Sequence, residues 1–390
     1  MNPVWHQRLK DLADRHLERR MRVVDGPVGP VVSTGDGEKL CFASNDYLGF
    51  ANHTRIRQAL ADAATKWGVG AASSRLVSGN TLAHDRLENE LAKYLGTDEA
   101  VLFPSGYQAN VGAISALTDR GDTIFSDALV HASLVDGCRL SRAHVQIFRH
   151  RDAAHLNELL QACDTSGLKL IVTDSVFSMD GDLAPLAQIA KIAKANGALV
   201  YVDEAHAIGV KGPAGRGLCA ELELEESVAV RVGTFGKALG SCGAFVATDR
   251  NAAGLIRSRA RSLLYTTAAP APIVEAAAAS LEIVKSADDQ RRTLDRNIEI
   301  FRTPALEAGL SVLDSKTPIQ PVVIGDASRT MVASELLWKR GLFVQGMRPP
   351  TVPEGTSRLR VTLTAAHEPT HIKTLVRVLV EVLSEIGVHP

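Results

Sequence analysis

Ala198-Leu199-Val200-Tyr201-Val202-Asp203-Glu204-Ala205-His206 is the stretch from which the fold can be read. An uninterrupted uncharged run passes straight into a carboxylate, and a second carboxylate and a histidine follow. Such a run, rich in β-branched and aromatic residues, reads as a strand buried on both faces, as in parallel sheets covered by helices. The neighbouring chain has the matching rhythm. Ala184 to Ala195 has helical spacing and stops at Gly197, and Val228 to Val232 is the next strand. Upstream, Ala100–Phe103 leads into a helix from Tyr107 to Leu117, and Thr123–Phe125 into one from Ala132 to Ser141. Val145–Phe148 leads into a helix from Ala153 to Ala162, Leu170–Thr173 into a polar loop, and Gly243–Thr248 is a further strand.

This alternation predicts an α/β fold with a mostly parallel central sheet flanked by helices. Ligands of such sheets gather beyond the carboxyl ends of the strands. That rule sends Ser105-Gly106, Asp127 to His131, Ser175 to Asp180, Asp203 to His206 and Thr234 to Lys237 to one crevice.

The flanks read differently. Val4 to Met21 has the pattern of a polar amphipathic helix, and Val31 to Phe42 that of a hairpin turning at Asp36-Gly37. Ser44 to Gly49 is a polar loop, Ile56–Trp67 and His84–Leu95 are helices, and Gly68 to Gly79 is a Gly/Ser-rich loop around Arg75. After a helix from Pro270 to Val284 come Val322–Ile324, a helix Thr330–Arg340, Arg358–Leu363 and a helix Pro369–Ile386, a smaller α+β domain. The expected division is an N-terminal helix and hairpin at 1–45, a large domain at 46–284 and a small one at 285–390.

The 390 residues are 45% apolar and 22% charged, the balance of a soluble globular protein with a large core. A formal net charge of −1 supplies no field to draw the chain to nucleic acid or to an anionic membrane. Met1 to Arg8 has no apolar signal region, and Pro104, Ser105, Gly106, Gln108 and Asn110 break the uncharged run Ala100–Thr118 into strand, turn and helix. Cys41, Cys138, Cys163, Cys219 and Cys242 are scattered and never spaced as CxxC, which points to reduced thiols in the cytoplasm and to no metal.

Chemistry centres on Gly233-Thr234-Phe235-Gly236-Lys237-Ala238-Leu239-Gly240. A phosphate-cradling G-x-x-x-x-G-K-[ST] loop is excluded, because Arg231 and Ala238 occupy the positions that need Gly and Ser or Thr. Two readings of Lys237 remain open on this stretch alone: a solvent-facing lysine in a turn, or an amine held where water is scarce and able to act as a nucleophile. Asp203, which in isolation could cap a turn, favours the second. A lysine that forms an imine and a carboxylate that holds a pyridinium proton are the two groups pyridoxal phosphate requires. His206 lies close enough in sequence to reach the 3′ oxygen of the same ring, and His131 offers a flat imidazole for stacking. Ser105-Gly106-Tyr107 opens a helix whose N–H groups and dipole suit a phosphate, with Thr234 as a further hydroxyl.

Together the stretches Ser44–Gly49, Ser105–Tyr107, His131–Ser133, Val176–Asp182, Asp203–His206 and Thr234–Lys237 resemble the α-oxoamine synthases among the fold-type I pyridoxal-phosphate transferases, from about Leu17 to Leu383. The resemblance implies Lys237 as the lysine that binds the cofactor, Asp203 as partner of the ring nitrogen, and His206 with Ser178 at the 3′ oxygen. It places His131 over the ring, as a catalytic, cofactor-binding and substrate-binding residue, and gives Gly106, Tyr107 and Thr234 to the cofactor. Arg348 to Pro353 and Gly355 to Arg360 are similar to members that condense L-alanine with a pimeloyl thioester, carried on CoA or on acyl carrier protein. By that likeness Arg360 with Asn45, and Arg348, take the alanine carboxylate, and Thr351 and Arg19 (or its neighbour Arg20) face the acyl chain. A relative joining glycine to acetyl-CoA, such as 2-amino-3-ketobutyrate CoA ligase, is the alternative. Members of the family are homodimers, which implies that Tyr265-Thr266-Thr267 reaches the neighbouring subunit's phosphate.

Overall fold

A computed structural model describes residues 2–15, 17–19 and 21–388. The chain divides into two compact units, one formed by residues 50–178 and 183–289, the other by residues 1–49, 179–182 and 290–390.

The first unit is built on a seven-stranded sheet. Its spatial order is Glu99–Phe103, Ala244–Thr248, Val230–Thr234, Leu199–Asp203, Lys169–Asp174, Thr123–Asp127 and His144–Phe148. Only Ala244–Thr248 runs antiparallel to its neighbours. The short connection 235–243 explains this exception, since a parallel return needs a crossover of a dozen or more residues. Val200, Tyr201 and Val202 are at most 2% exposed, and each such side chain contributes about 1.5–3 kcal/mol by leaving water.

Two close approaches position the site. Helices Gly106–Leu117 and Ala132–Ser141 pack together at Gly137, where a Cβ would lie 3.0 Å from the Asn110 carbonyl. Gly240 has φ +60°, and a Cβ there would overlap the backbone of Phe50 and Ala51, so no other residue fits this turn without displacement.

Differences from expectation are local. The strand predicted at Val228–Val232 is Val230–Thr234, drawn two residues onward by pairing along the antiparallel strand from Val230↔Thr248 to Thr234↔Ala244. The helix predicted from Ala184 starts at Leu186, because the Ala184 amide is held by the Ser175 carbonyl and Pro185 takes the cap position. Within the loop around Arg75, Arg75–Gly79 forms one π-helical turn.

The second unit holds two small sheets. In one, the hairpin Val31–Thr34 and Gly37–Cys41 pairs with Leu342–Phe343; in the other, Ser357–Thr362 lies between Ile319–Gly325 and Gln345–Met347. The hairpin is thus part of the same unit as the C-terminal strands. Helices Ala327–Lys339 and Pro369–Glu385 were expected, whereas Asp288–Glu307, with Pro304 inside it, was not. The N-terminal helix ends at Asp14 rather than Met21. It buries no side chain, and beyond it Glu18 and Arg19 bond to Arg348 and Thr351 instead of continuing the spiral. The part of that expected helix at His16 and Arg20 lies outside the described residues.

Candidate active site

The parallel register sets Asp174 opposite Asp203 and Asp203 opposite Val232. The loops leaving these strands then bring Lys237 Nζ within 2.9 Å of His206 Nε2. Asp203 is 5% exposed and accepts from Asn110 Nδ2 at 2.6 Å and from the Ala205 amide at 2.8 Å. Asn110 Oδ1 accepts from the Tyr201 hydroxyl at 2.9 Å, and its Nδ2 lies 2.9 Å from Ser133 Oγ. Ser133 Oγ in turn lies 2.7 Å from His131 Nδ1, and the His131 amide donates to Asp174 Oδ2 at 2.9 Å. Burial pushes the His131 imidazole below its ordinary value; Asp203 opposes this and Lys237 adds to it. A ring held neutral keeps one nitrogen as donor and one as acceptor, and its apolar face free of charge.

Lys237, Asp203, His206 and His131 are therefore gathered at one sheet edge, and sequence reasoning missed the groups that hold them: Asn110, Ser133, Tyr201 and Asp174. Asn110 did leave a trace. It is a polar residue, 1% exposed, inside the apolar helix Gly106–Leu117, where burial demands a partner. Ser178, half-buried, ends the segment 50–178.

Whether this edge suits a phosphorylated cofactor can be tested at Gly106. Ser105 caps the helix through its side chain, accepting from the Gln108 amide at 3.3 Å. Among the described residues, nothing accepts from the amides of Gly106 and Tyr107. A Cβ added at Gly106 would meet nothing within 4 Å, so the helix start opens onto free space. Pairing of Phe103 and Thr234 to the same residue, Ala244, puts this helix start and Thr234 at the same end of the sheet. A phosphate fits there, and the amine, buried carboxylate and imidazole fit the ring. The Thr234 hydroxyl donates to the Gly243 carbonyl at 2.9 Å and accepts from the Gly236 amide at 3.1 Å. The Tyr107 side chain is 48% exposed, its hydroxyl bonded to Asp136 at 2.5 Å.

The second unit assembles the remaining candidates. Arg360, 5% exposed, donates to Asn45 Oδ1 at 3.1 Å and to Thr362 Oγ1 at 2.9 Å. The Tyr47 hydroxyl also donates to Asn45 Oδ1, at 3.3 Å; burial pushes its pKa up to about 12 against the pull of Arg360. Two residues along the same strand, Arg358 pairs with Asp180 at 2.5 Å. Arg19 Nη2 donates to Thr351 Oγ1 at 2.9 Å, and Arg348 donates to the Glu18 carbonyl at 2.6 Å. Arg19, Arg348 and Thr351 line a cavity of about 490 Å3 whose walls include Met21, Met331 and Met347. Burial pulls the Arg348 guanidinium down and neighbouring Arg19 adds to it. Arg20 lies outside the described residues.

Fold and site define a fold-type I enzyme that works with pyridoxal phosphate. The family model for aminotransferase class I and II matches residues 37–379. A curated 8-amino-7-oxononanoate synthase of Marinobacter nauticus is 48% identical over 373 residues, 95% of this chain and 94% of the relative. Among solved structures, a serine palmitoyltransferase with pyridoxal phosphate matches with a TM-score of 0.93 at 30% identity, over 99% of this chain and 98% of that one. The 8-amino-7-oxononanoate synthase of Francisella tularensis matches with a TM-score of 0.77 at 29% identity, over 89% of this chain and 98% of that one. The chain belongs to the aminotransferase class I and II family and, within it, to the 8-amino-7-oxononanoate synthases.

Proposed function

We propose that the chain condenses L-alanine with a pimeloyl thioester, on CoA or acyl carrier protein, to give 8-amino-7-oxononanoate, CO2 and free thiol in biotin biosynthesis. The carrying observation is the near full-length 48% identity to a synthase of that name, joined to a Lys237–His206–Asp203–His131 cluster that is complete. The bond made joins alanine Cα to the pimeloyl carbonyl carbon. The bonds broken are the thioester C–S bond and the bond from alanine Cα to its carboxylate.

Pyridoxal phosphate, when bound, supplies an aldehyde carbon for amine exchange and a ring that accepts the electron pair released at alanine Cα. Lys237 would hold that aldehyde, and its amine would take the Cα proton of alanine and return one to the same carbon after CO2 has left. Asp203 keeps a proton on the ring nitrogen. His206 and Ser178 would hold the 3′ oxygen, and the His131 ring would stack on the cofactor ring. The amides of Gly106 and Tyr107, with Thr234, anchor the phosphate. Arg360 with Asn45 takes the alanine carboxylate, with Arg348 as a further contact, while Thr351 and Arg19 receive the distal carboxylate of the acyl chain, which needs a paired charge when desolvated.

A cytoplasmic homodimer without a membrane or nucleic-acid partner belongs to the same reading. Among the described residues no helix is long and apolar enough to cross a membrane. Leu76, Val77 and Tyr265 are 67%, 78% and 71% exposed, an apolar surface that a second subunit would cover, and sedimentation of the holoenzyme at the monomer mass would contradict that. The high structural likeness to a serine palmitoyltransferase keeps other acyl transfers in view. Product formation from alanine or glycine with pimeloyl-, acetyl- or palmitoyl-CoA decides among them: the proposal expects turnover with alanine and the pimeloyl thioester, and preference for glycine with acetyl-CoA would replace it.

A further inference from the structure

Three buried carboxylates stand at the ends of adjacent parallel strands: Asp127, Asp174 and Asp203. They are not equally supplied with donors. Asp127 accepts from the Leu129 amide, His150 Nδ1 and the Arg151 amide, each at 2.8 Å. Asp203 accepts on both oxygens, from Asn110 and from the Ala205 amide. Asp174 receives one donor among the described residues, the His131 amide at 2.9 Å on Oδ2. Because Asp174 and Asp203 are register partners, their side chains leave the same face of the sheet, with strands about 4.8 Å apart. Two carboxylates so placed in a site shielded from water do not both ionise, and the proton goes to the one with fewer donors.

We propose that Asp174 is a positioning residue that works as an uncharged carboxylic acid: it holds the His131 amide in place and leaves Asp203 as the anion beside the cofactor ring. This rests on the roles proposed above for His131 and Asp203. The groups facing Asp174 are consistent with it. Burial raises its pKa well above the ordinary carboxylate value; Asp203 adds to this, the His131 amide and Lys237 oppose it, and Asp127 adds again. A neutral Asp174 matches one anion to one cationic ring, whereas an ionised Asp174 would leave a second buried charge unmatched. The isosteric substitution is therefore Asp174→Asn, which keeps a carbonyl oxygen for the His131 amide and mimics the protonated acid.

The direct test is infrared spectroscopy of protein labelled with 13C only at aspartate carboxyls, at neutral pH, in the apo and pyridoxal-phosphate-loaded forms. The proposal expects a protonated-carboxyl band from aspartate in the wild type and its loss in Asp174→Asn. Absence of the band in the wild type overturns it, and this measurement stands even if the variant fails to fold. A second readout is the melting temperature of the apoprotein against pH. A group whose proton is held more tightly in the folded chain stabilises fully below the unfolded carboxylate value and loses that contribution as pH rises through the folded one. Asp174→Asn should therefore gain stability relative to wild type as pH rises from about 4 to neutrality; a flat difference contradicts the proposal. In the loaded enzyme Asp174→Asn should hold kcat within about threefold, while Asp174→Ala, which cannot hold the His131 amide, should lose about tenfold or more. A hundredfold loss in a folded Asp174→Asn would mean that the charge itself is needed. The spectroscopic and stability readouts use no substrate, so a wrong acyl donor leaves them untouched.

Discussion

The cluster around Lys237 and the arginine set of the second unit are built from opposite materials. Asp203, Asn110, Ser133 and Tyr201 are 5%, 1%, 0% and 0% exposed, and short hydrogen bonds tie them to one another across one strand and two helices. Arg19 is exposed and Arg348 half-buried, and they are held by a threonine hydroxyl and a backbone carbonyl. Arg360 stands between these extremes, buried and bonded to neutral side chains that include Asn45 and Thr362. A rigid network fixes geometry to a fraction of an ångström, which proton transfer needs; loosely held arginines suit substrates that must enter and leave. Under the proposed function, reaction type belongs to the sheet edge and substrate choice to the arginines, and each half can be broken separately.

Lys237→Ala should have the largest effect, a loss of at least about four orders of magnitude in kcat. Its circular dichroism and melting temperature should remain near wild type, because Lys237 sits at a turn and carries little of the core. Near-normal steady-state turnover would remove this residue from the mechanism. Asp203→Asn should follow, with kcat down about 10²–10³-fold and KM for alanine changed far less. A KM effect equal to the kcat effect would place Asp203 among the binding groups instead.

Arg360→Ala removes a charge-assisted contact of about 1.5–3 kcal/mol, which corresponds to a rise of roughly 10- to 100-fold in KM for alanine. The acyl donor's KM should be unaffected in single-substrate titrations. Arg19→Ala is expected to act the other way round: about tenfold on KM for the pimeloyl thioester and little on alanine, since the side chain is largely solvated. If both variants moved both constants equally, the division of labour between these arginines would be lost.

The smallest effect concerns stability and touches both units alike. His84 and His367 are buried, and desolvation lowers each to about 4. Their neutral rings are fully bonded, His84 to Thr81 and the Ala269 carbonyl, His367 to Thr364 and the Cys41 carbonyl. A base whose folded pKa is depressed contributes stability above its unfolded value and loses it as pH falls through the folded one. Melting temperature should therefore drop as pH falls from about 6.5 to 4. His367→Asn should lower stability overall and flatten part of that limb; an unchanged limb would contradict the assignment.

Much of the sheet was legible because each strand is a short apolar run with a polar stop, and the period changes at once to helical spacing. The Lys237, Asp203 and His206 positions were legible for the same reason: strand ends are marked locally, and their chemistry is unusual there. Pairings that depend on register were not. Nothing near Asp174 in sequence says that Asp203 is its neighbour, or that His131 bonds to it through the backbone. Asp288–Glu307 escaped because its inward face, Leu294, Ile298, Phe301 and Ala305, is diluted by charged residues and interrupted by Pro304. The N-terminal helix was overextended because amphipathic spacing continues past Asp14, where contacts of Glu18 and Arg19 outweigh helix propagation.

Incubation of the pyridoxal-phosphate-loaded protein with L-alanine and pimeloyl-CoA, with product and CO2 measured together, tests the central claim most directly. We predict equimolar release of 8-amino-7-oxononanoate, CO2 and free CoA, abolished in Lys237→Ala and at least tenfold weaker, in order of magnitude, when glycine replaces alanine. Turnover of glycine with acetyl-CoA, or of serine with palmitoyl-CoA, at a higher kcat/KM than this pair would contradict it.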